Sequence, residues 1–456
     1  MKPGWLLVEG LVQDRVGHAA FGTFTALASL TLIVATLADL GLTPYTVKRV
    51  AAEPGYLRAN FGVVLPLRGA LTALSLLALL ALGALLGYGG SQLGLLAAVG
   101  AGLLLTQYGQ FLRGTLQAHQ RFNLDAGLSV LEKGLLLALV LALLPGGLTL
   151  NRYVGARLAA AALATALLYG LVSRLFGWLR YRWPGGELRQ LLRETLPFAL
   201  ITLLYGANER VDMVMLERLA SPTEAGYYAA AYRWVDAVMM YVWTIMPLFF
   251  ARFAAALHQP AELRALLWFG QRVLTLPLLL ACAFGLFRGE VLFWQFSHSA
   301  PAEVARMALC LRVLSLNVLV HGFFALYSAL LNSTRFVGTV SWLVAGSLLL
   351  NILLNLLLLP RYGAVAAAAN TLVCGLLVSG GYVGLVHFRA RVAVPWALLG
   401  RLLLAFGLLC AAWAGWQRLA PPLPWLLESA LAGLFFVVIS LGLGLVPLAE
   451  LRAWRR

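Results

Sequence analysis

Two short runs set opposite charges side by side in otherwise apolar sequence: Asn208-Glu209-Arg210-Val-Asp212 and Arg233-Trp-Val-Asp236. Residues 209 and 212, and residues 233 and 236, are three apart, so on a helix each pair shares a face. Two readings of Arg233 and Asp236 stand: a self-neutralised structural pair, or part of a charged wall along a cavity. Asp39 and the neighbours Glu132 and Lys133 are further charges in apolar surroundings, within a helix or at its end. Asp39, Glu209, Asp212 and Asp236 each have the chemistry to carry a proton or a sodium ion, and spacing alone does not choose among them. Enzymatic chemistry leaves no comparable signature. There is no Asp-x-Asp, no nucleotide-binding glycine loop and no long extramembrane segment, and the six histidines fall into no metal-ligand spacing. No catalytic residue, metal or cofactor is therefore assigned, and direct drive by ATP is not expected.

The surroundings of these charges decide what they must do. Of 456 residues, 61% are hydrophobic and only 11% are charged, against roughly 25% charged in soluble domains. Mean hydropathy is +0.86. The apolar residues come in blocks long enough to cross about 30 Å of hydrocarbon at about 1.5 Å per residue. In that solvent every backbone polar group must be satisfied internally, which excludes open sheets. The alternation of a membrane β-barrel is absent, so the fold is all-α. The four cysteines, Cys282, Cys310, Cys374 and Cys410, lie in apolar stretches as small core hydrophobes. No cleavable leader follows Lys2. The net charge of +16 fits the basic loops of membrane proteins and does not call for nucleic acid.

About fourteen spans are expected, near 4–16, 19–41, 61–87, 92–114, 124–144, 154–178, 195–216, 225–250, 268–295, 305–331, 337–359, 363–387, 396–418 and 425–447, the first of them short. Basic residues gather in alternate loops: Lys48, Arg49 and Arg58; Arg113 and Arg121; Arg180 to Arg193; Arg252 and Arg264; Arg389 and Arg391; and the final Arg452 to Arg456. That alternation predicts both termini in the cytoplasm. Asn317, His321, Asn332, Asn351, Asn355 and Asn370 dot spans ten to twelve, most of them expected to be interhelical hydrogen-bonding groups and the lone His321 a structural residue, and glycines such as Gly375, Gly380, Gly381 and Gly384 allow close helix packing.

The linker around 181–194 divides the chain. Residues 1–180 form a first six-helix bundle, 181–194 a cytoplasmic linker with a short amphipathic helix, 195–391 a second six-helix bundle, and 392–456 two extra spans with a cytoplasmic tail. The bundles resemble each other. Ala20-Phe-Gly-Thr-Phe aligns with Ala225-Gly-Tyr-Tyr, Lys48-Arg49-Val-Ala-Ala with Ala251-Arg252-Phe-Ala-Ala, and Arg113–Phe122 with Tyr327–Phe336, in one order. An even number of spans per repeat relates the halves by a pseudo-two-fold axis along the membrane normal. Substrate sites in such duplicated transporters lie between the halves, near mid-membrane.

Asp212 followed by Ser221-Pro-Thr-Glu-Ala-Gly226-Tyr-Tyr-Ala-Ala-Ala resembles the signature of the polysaccharide-biosynthesis (Wzx-type) flippases, within the multidrug/oligosaccharidyl-lipid/polysaccharide exporter superfamily. Gly17–Gly22, Asp39-Leu-Gly-Leu and Arg113-Gly-Thr-Leu-Gln-Ala match the first half of the pattern, and the similarity spans roughly residues 10–390. The resemblance implies two bundles that alternate access to a cationic cavity. It implies as cargo a polyprenyl-diphosphate-linked oligosaccharide, with membrane lipids and the polysaccharide polymerase machinery as further partners and no nucleic acid, in a bacterial inner membrane.

The family's cationic cavity positions match Arg15, Lys48, Arg49 and Arg252 here, with Arg210 and Arg233 as further candidates for binding the cargo. A diphosphate leaving water calls for arginine forks. The other reading of Arg49 and Arg252 is that of ordinary anchors reaching the headgroups. A drug or small-molecule antiporter of the same fold is the alternative function. A membrane-embedded glycan-transfer enzyme is a more distant one.

Overall fold

The computed structural model describes residues 2–43, 46, 49–50, 53, 56–176, 187–334, 336–419 and 423–446. Lys48 and residues 177–186 of the linker lie outside them. Among the described residues fourteen α-helices are placed in order: α1 (Lys2–Val16), α2 (His18–Asp39), α3 (Tyr56–Leu85), α4 (Gly90–Ala118), α5 (Phe122–Leu143), α6 (Leu150–Phe176), α7 (Glu187–Leu219), α8 (Pro222–Ala255), α9 (Pro260–Arg288), α10 (Pro301–Asn332), α11 (Val337–Tyr362), α12 (Ala364–Gly384), α13 (Trp396–Leu419) and α14 (Trp425–Gly442). A 3-10 turn over Gly289–Phe293 extends α9, and a π-helical turn over Leu385–Arg389 extends α12. No strand occurs among the described residues.

Among the described residues twelve helices have the length and hydropathy to cross a membrane, on length and composition alone. The other two are α1 and α7. Helix α1 has 15 residues, about 22 Å of rise, and is the short first helix that the sequence predicts. Helix α7 has 33 residues but carries Glu209, Arg210, Asp212, Glu217 and Arg218, which lower its mean hydropathy. It runs unbroken past Pro197, so the separate short helix expected there is the start of a longer one. Membrane helices tolerate such a proline because neighbours can satisfy the freed carbonyl.

The chain forms two compact units, Pro3–Gly226 and Tyr227–Arg456. In the first, α2 packs on α3, α4 and α7, while α4 and α5 pack on α6. Small residues set the α4–α6 approach. A Cβ on Gly102 would already touch the Leu158 backbone at 3.5 Å, and the Thr165 hydroxyl donates to the Leu105 carbonyl at 3.1 Å. Lipid supplies no hydrophobic drive between helices, so close backbone contact and such hydrogen bonds hold them together.

In the second unit α9 and α12 pack on α10, α11 packs on α12, and the C-terminal pair α13–α14 packs on α9. A buried amide chain joins α11 to α12: Asn355 donates to Asn351 at 2.8 Å, and Asn370 donates to Asn355 at 2.9 Å. Of the four glycines expected to permit close packing, Gly375 meets Asn317 and Gly381 meets Leu343, whereas Gly380 and Gly384 face open space. Cys282, Cys310 and Cys374 are buried, Cys410 is half-buried, and all four are free thiols.

Candidate transport site

In the second unit a cavity of about 570 Å³ opens between α8, α9, α10, α13 and α14. Trp234 and Val238 of α8, Ala281 of α9, Val318 of α10 and Trp413 of α13 are among its walls. Small residues, Ala237 and Ala281, are among the facing walls, whereas Gly285 lets α9 approach α10, since a Cβ there would lie 2.1 Å from the Ser315 hydroxyl. Pro277 sits inside α9 beside them, where a missing N–H bends a helix. The polar groups in the lining are Ser315, Ser429 and the two indoles, and the lining includes no carboxylate.

One wall is braced by a buried acid. Glu428 of α14 accepts from Arg288 Nε at 2.9 Å, from Trp413 Nε1 at 2.5 Å and from Gln417 at 3.0 Å. Only 4% of the residue is exposed. A buried carboxylate is tolerable when opposite charge and donors surround it in this way. The contact ties the C-terminal pair to the end of α9.

In the first unit the charges are organised in pairs. Asp39, at the end of α2, lies 2.9 Å from Arg68 of α3 and also accepts from the Thr43 side chain and backbone. Arg68 is 1% exposed, donates to the Ala38 carbonyl and lies over the Phe111 ring. Arg157 of α6 reaches Glu9 at 3.3 Å and the Tyr153 hydroxyl at 2.9 Å, between the rings of Phe24 and Tyr153. Arg113 pairs with Asp125, which also accepts from Gln117 at 2.8 Å. Tyr88, in the turn between α3 and α4, donates to buried Glu217 at 3.1 Å, and the Arg218 guanidinium lies 3.5 Å from the centre of its ring. Burial and the Glu217 carboxylate push the Tyr88 phenol up, so it remains a neutral donor.

The residues singled out in the sequence are distributed as follows. Arg15 is exposed at the end of α1. Arg49 is half-buried, 3.9 Å from Glu53 and over the Tyr56 ring. Arg210 is half-buried beside exposed Glu209, and Asp212 is buried one turn on. In the second unit Arg233 is buried, Asp236 half-buried and Arg252 exposed in the last turn of α8. Sequence reasoning missed Arg68, Arg157 and the Tyr88–Glu217–Arg218 cluster. The signal was available for Arg68, a lone charge in Val64-Leu-Pro-Leu-Arg68-Gly. The cavity had none, because its walls are ordinary apolar residues. Among the described residues no three His, Cys, Asp or Glu side chains come together.

This arrangement of helices defines a class. Over 96% of its length the chain superposes on 97% of a structure of lipid II flippase MurJ in an inward closed conformation, with TM-score 0.73 and 12% identity. It superposes over 86% of its length on 94% of an inward-facing multidrug resistance MATE family transporter of the MOP superfamily, with TM-score 0.70 and 16% identity. A MOP superfamily transporter from Pyrococcus furiosus, described as having a binding pocket of reverse polarity, matches with TM-score 0.56 and 14% identity, covering 86% of this chain and 92% of that one. The fold is that of MOP superfamily transporters. No curated protein matches by sequence. The model of the polysaccharide biosynthesis protein family matches residues 11–250, more than half of the chain, and the chain belongs to that family.

Proposed function

We propose that this protein is a flippase that carries a polyprenyl-diphosphate-linked oligosaccharide across the bacterial inner membrane for surface polysaccharide assembly. It acts as a transporter, not an enzyme, by alternating access, with both termini in the cytoplasm. The observation that carries the reading is the apolar cavity of the second unit, in a member of the polysaccharide biosynthesis family. Its volume of about 570 Å³ falls in the roughly 300–1,000 Å³ range of ligand pockets. Its lining suits an isoprenoid chain and offers no carboxylate to a cationic drug. The diphosphate then calls for guanidinium forks. Arg15, Arg49, Arg210, Arg233 and Arg252 are assigned that role, with the Lys48 ammonium as a further cation for the diphosphate, and Asp39, Glu209, Asp212 and Asp236 are the acids available to a coupling ion.

Depletion of the protein tests the reading. Lipid-linked repeat units should accumulate on the cytoplasmic leaflet and surface glycan should fall. Normal export during depletion would sink it. The combined R49A and R252A variant should retain its place in the membrane and lose export; unchanged export would remove the phosphate-binding assignment.

A further inference from the structure

A second cavity, of about 450 Å³, lies at the end of the second unit where α10, α11 and α12 meet. Its floor is apolar and small, made by Leu358, Val365, Ala366 and Ala369. Two exposed arginines stand on its rim, Arg306 of α10 and Arg361 in the last turn of α11. The turn holding them together is tight: Gly363, at φ 59°, joins α11 directly to α12. The Arg306 guanidinium reaches toward the Tyr362 carbonyl at 3.4 Å, which sets it beside the end of α11.

The bias that gathers cations in the basic loops does not account for this pair. Helices alternate in direction, so the start of α10 and the end of α11 lie at the membrane face opposite Arg252, Arg264, Arg389 and Arg391. Two cations beside a shallow apolar groove at a helix end match a ligand with an anionic head and a hydrocarbon tail. Arginine suits a phosphodiester because its fork donates two hydrogen bonds to the phosphate oxygens. The alanines of α12 leave room for an acyl chain against the helix.

We propose that this groove binds an anionic phospholipid, its phosphate held by Arg306 and Arg361 and one acyl chain lying on Val365, Ala366 and Ala369. The inference does not depend on the flippase reading, and its test reads lipid binding and not export.

The full-length protein, purified and delipidated in mild detergent, is titrated with phosphatidylglycerol and with phosphatidylcholine, and bound lipid is counted by native mass spectrometry. Phosphatidylglycerol should bind in preference. The R306A/R361A variant should weaken that binding by about thirty-fold, from the loss of two cations near the phosphate. A369F, which keeps both arginines and fills the groove, should weaken it as well. R418A, at another exposed arginine, should leave it unchanged. Equal binding of both lipids, or unchanged phosphatidylglycerol binding in R306A/R361A or in A369F, would overturn the proposal. So would displacement of the lipid by inorganic phosphate, which would make this a free-phosphate site.

Discussion

Gly22 of α2 and Gly226 of α8 each occupy the space that a side chain on the other's helix would need. A Cβ on Gly22 would lie 1.9 Å from the Pro222 carbonyl oxygen and 2.6 Å from the Gly226 nitrogen, and one on Gly226 would lie 2.2 Å from the His18 carbonyl oxygen. Buried Gln13 secures the contact by donating to the Gly226 carbonyl at 2.8 Å. Both glycines belong to the first compact unit. The obstructing atoms are backbone, which cannot swing aside.

G22A and G226A should therefore each destabilise the protein by about 1–3 kcal/mol, the range for overpacked sites. Thermal unfolding in detergent measures this. G69A, at a helical glycine facing open space, should leave the transition unmoved or raise it slightly.

Arg68 and Asp39 fix the end of α2 to α3. Removing Arg68 leaves a partly buried carboxylate and an open Ala38 carbonyl, so R68A should cost about 3–5 kcal/mol. D39N keeps part of the hydrogen bonding and should cost less. In a double-mutant cycle the two losses should be strongly non-additive; additive losses would show that the pair is not coupled.

Glu428 gathers Arg288, Trp413 and Gln417 at the junction of α9 with the C-terminal pair. E428A should lower stability by about 2 kcal/mol through lost charged hydrogen bonds. It should also make α13–α14 more accessible to protease before the rest of the chain. E428Q, which retains an acceptor for the indole, should fall between.

Asn355 is the middle of the Asn351–Asn355–Asn370 chain and is fully buried. N355L removes the acceptor of Asn370 and the donor to Asn351 together. The expected loss is about 1–2 kcal/mol, the usual scale for polar contacts between membrane helices. Hydrogen exchange should rise locally along α11 and α12.

Filling the cavity of the second unit separates transport from folding. A281F places a ring against Trp234 and Val318 across an existing void of about 570 Å³. Stability should change little, because the ring occupies empty space, while glycan export should fall at least severalfold. Full export with a filled cavity would remove the cavity from the transport path.

Span positions were legible because an apolar run long enough to cross a membrane is a local property: the twelve hydropathic helices all fall on expected spans, and the short first helix was visible as well. The asparagines of α11 and α12 were legible for a related reason, since amides in hydrocarbon must find partners. The amino-acid order thus dictates an all-helical, many-span membrane protein, through segment length, hydropathy and the cost of an unpaired backbone. It does not name partners across the chain. Glu428 meets Arg288 from 140 residues away, Arg157 meets Glu9 from 148, and Gly22 of α2 meets Gly226 of α8. Those contacts, and the void beside Ala237 and Ala281, depend on how helices are brought side by side. Packing of this kind rests on shape and on distant side chains, and tertiary structure alone settles it.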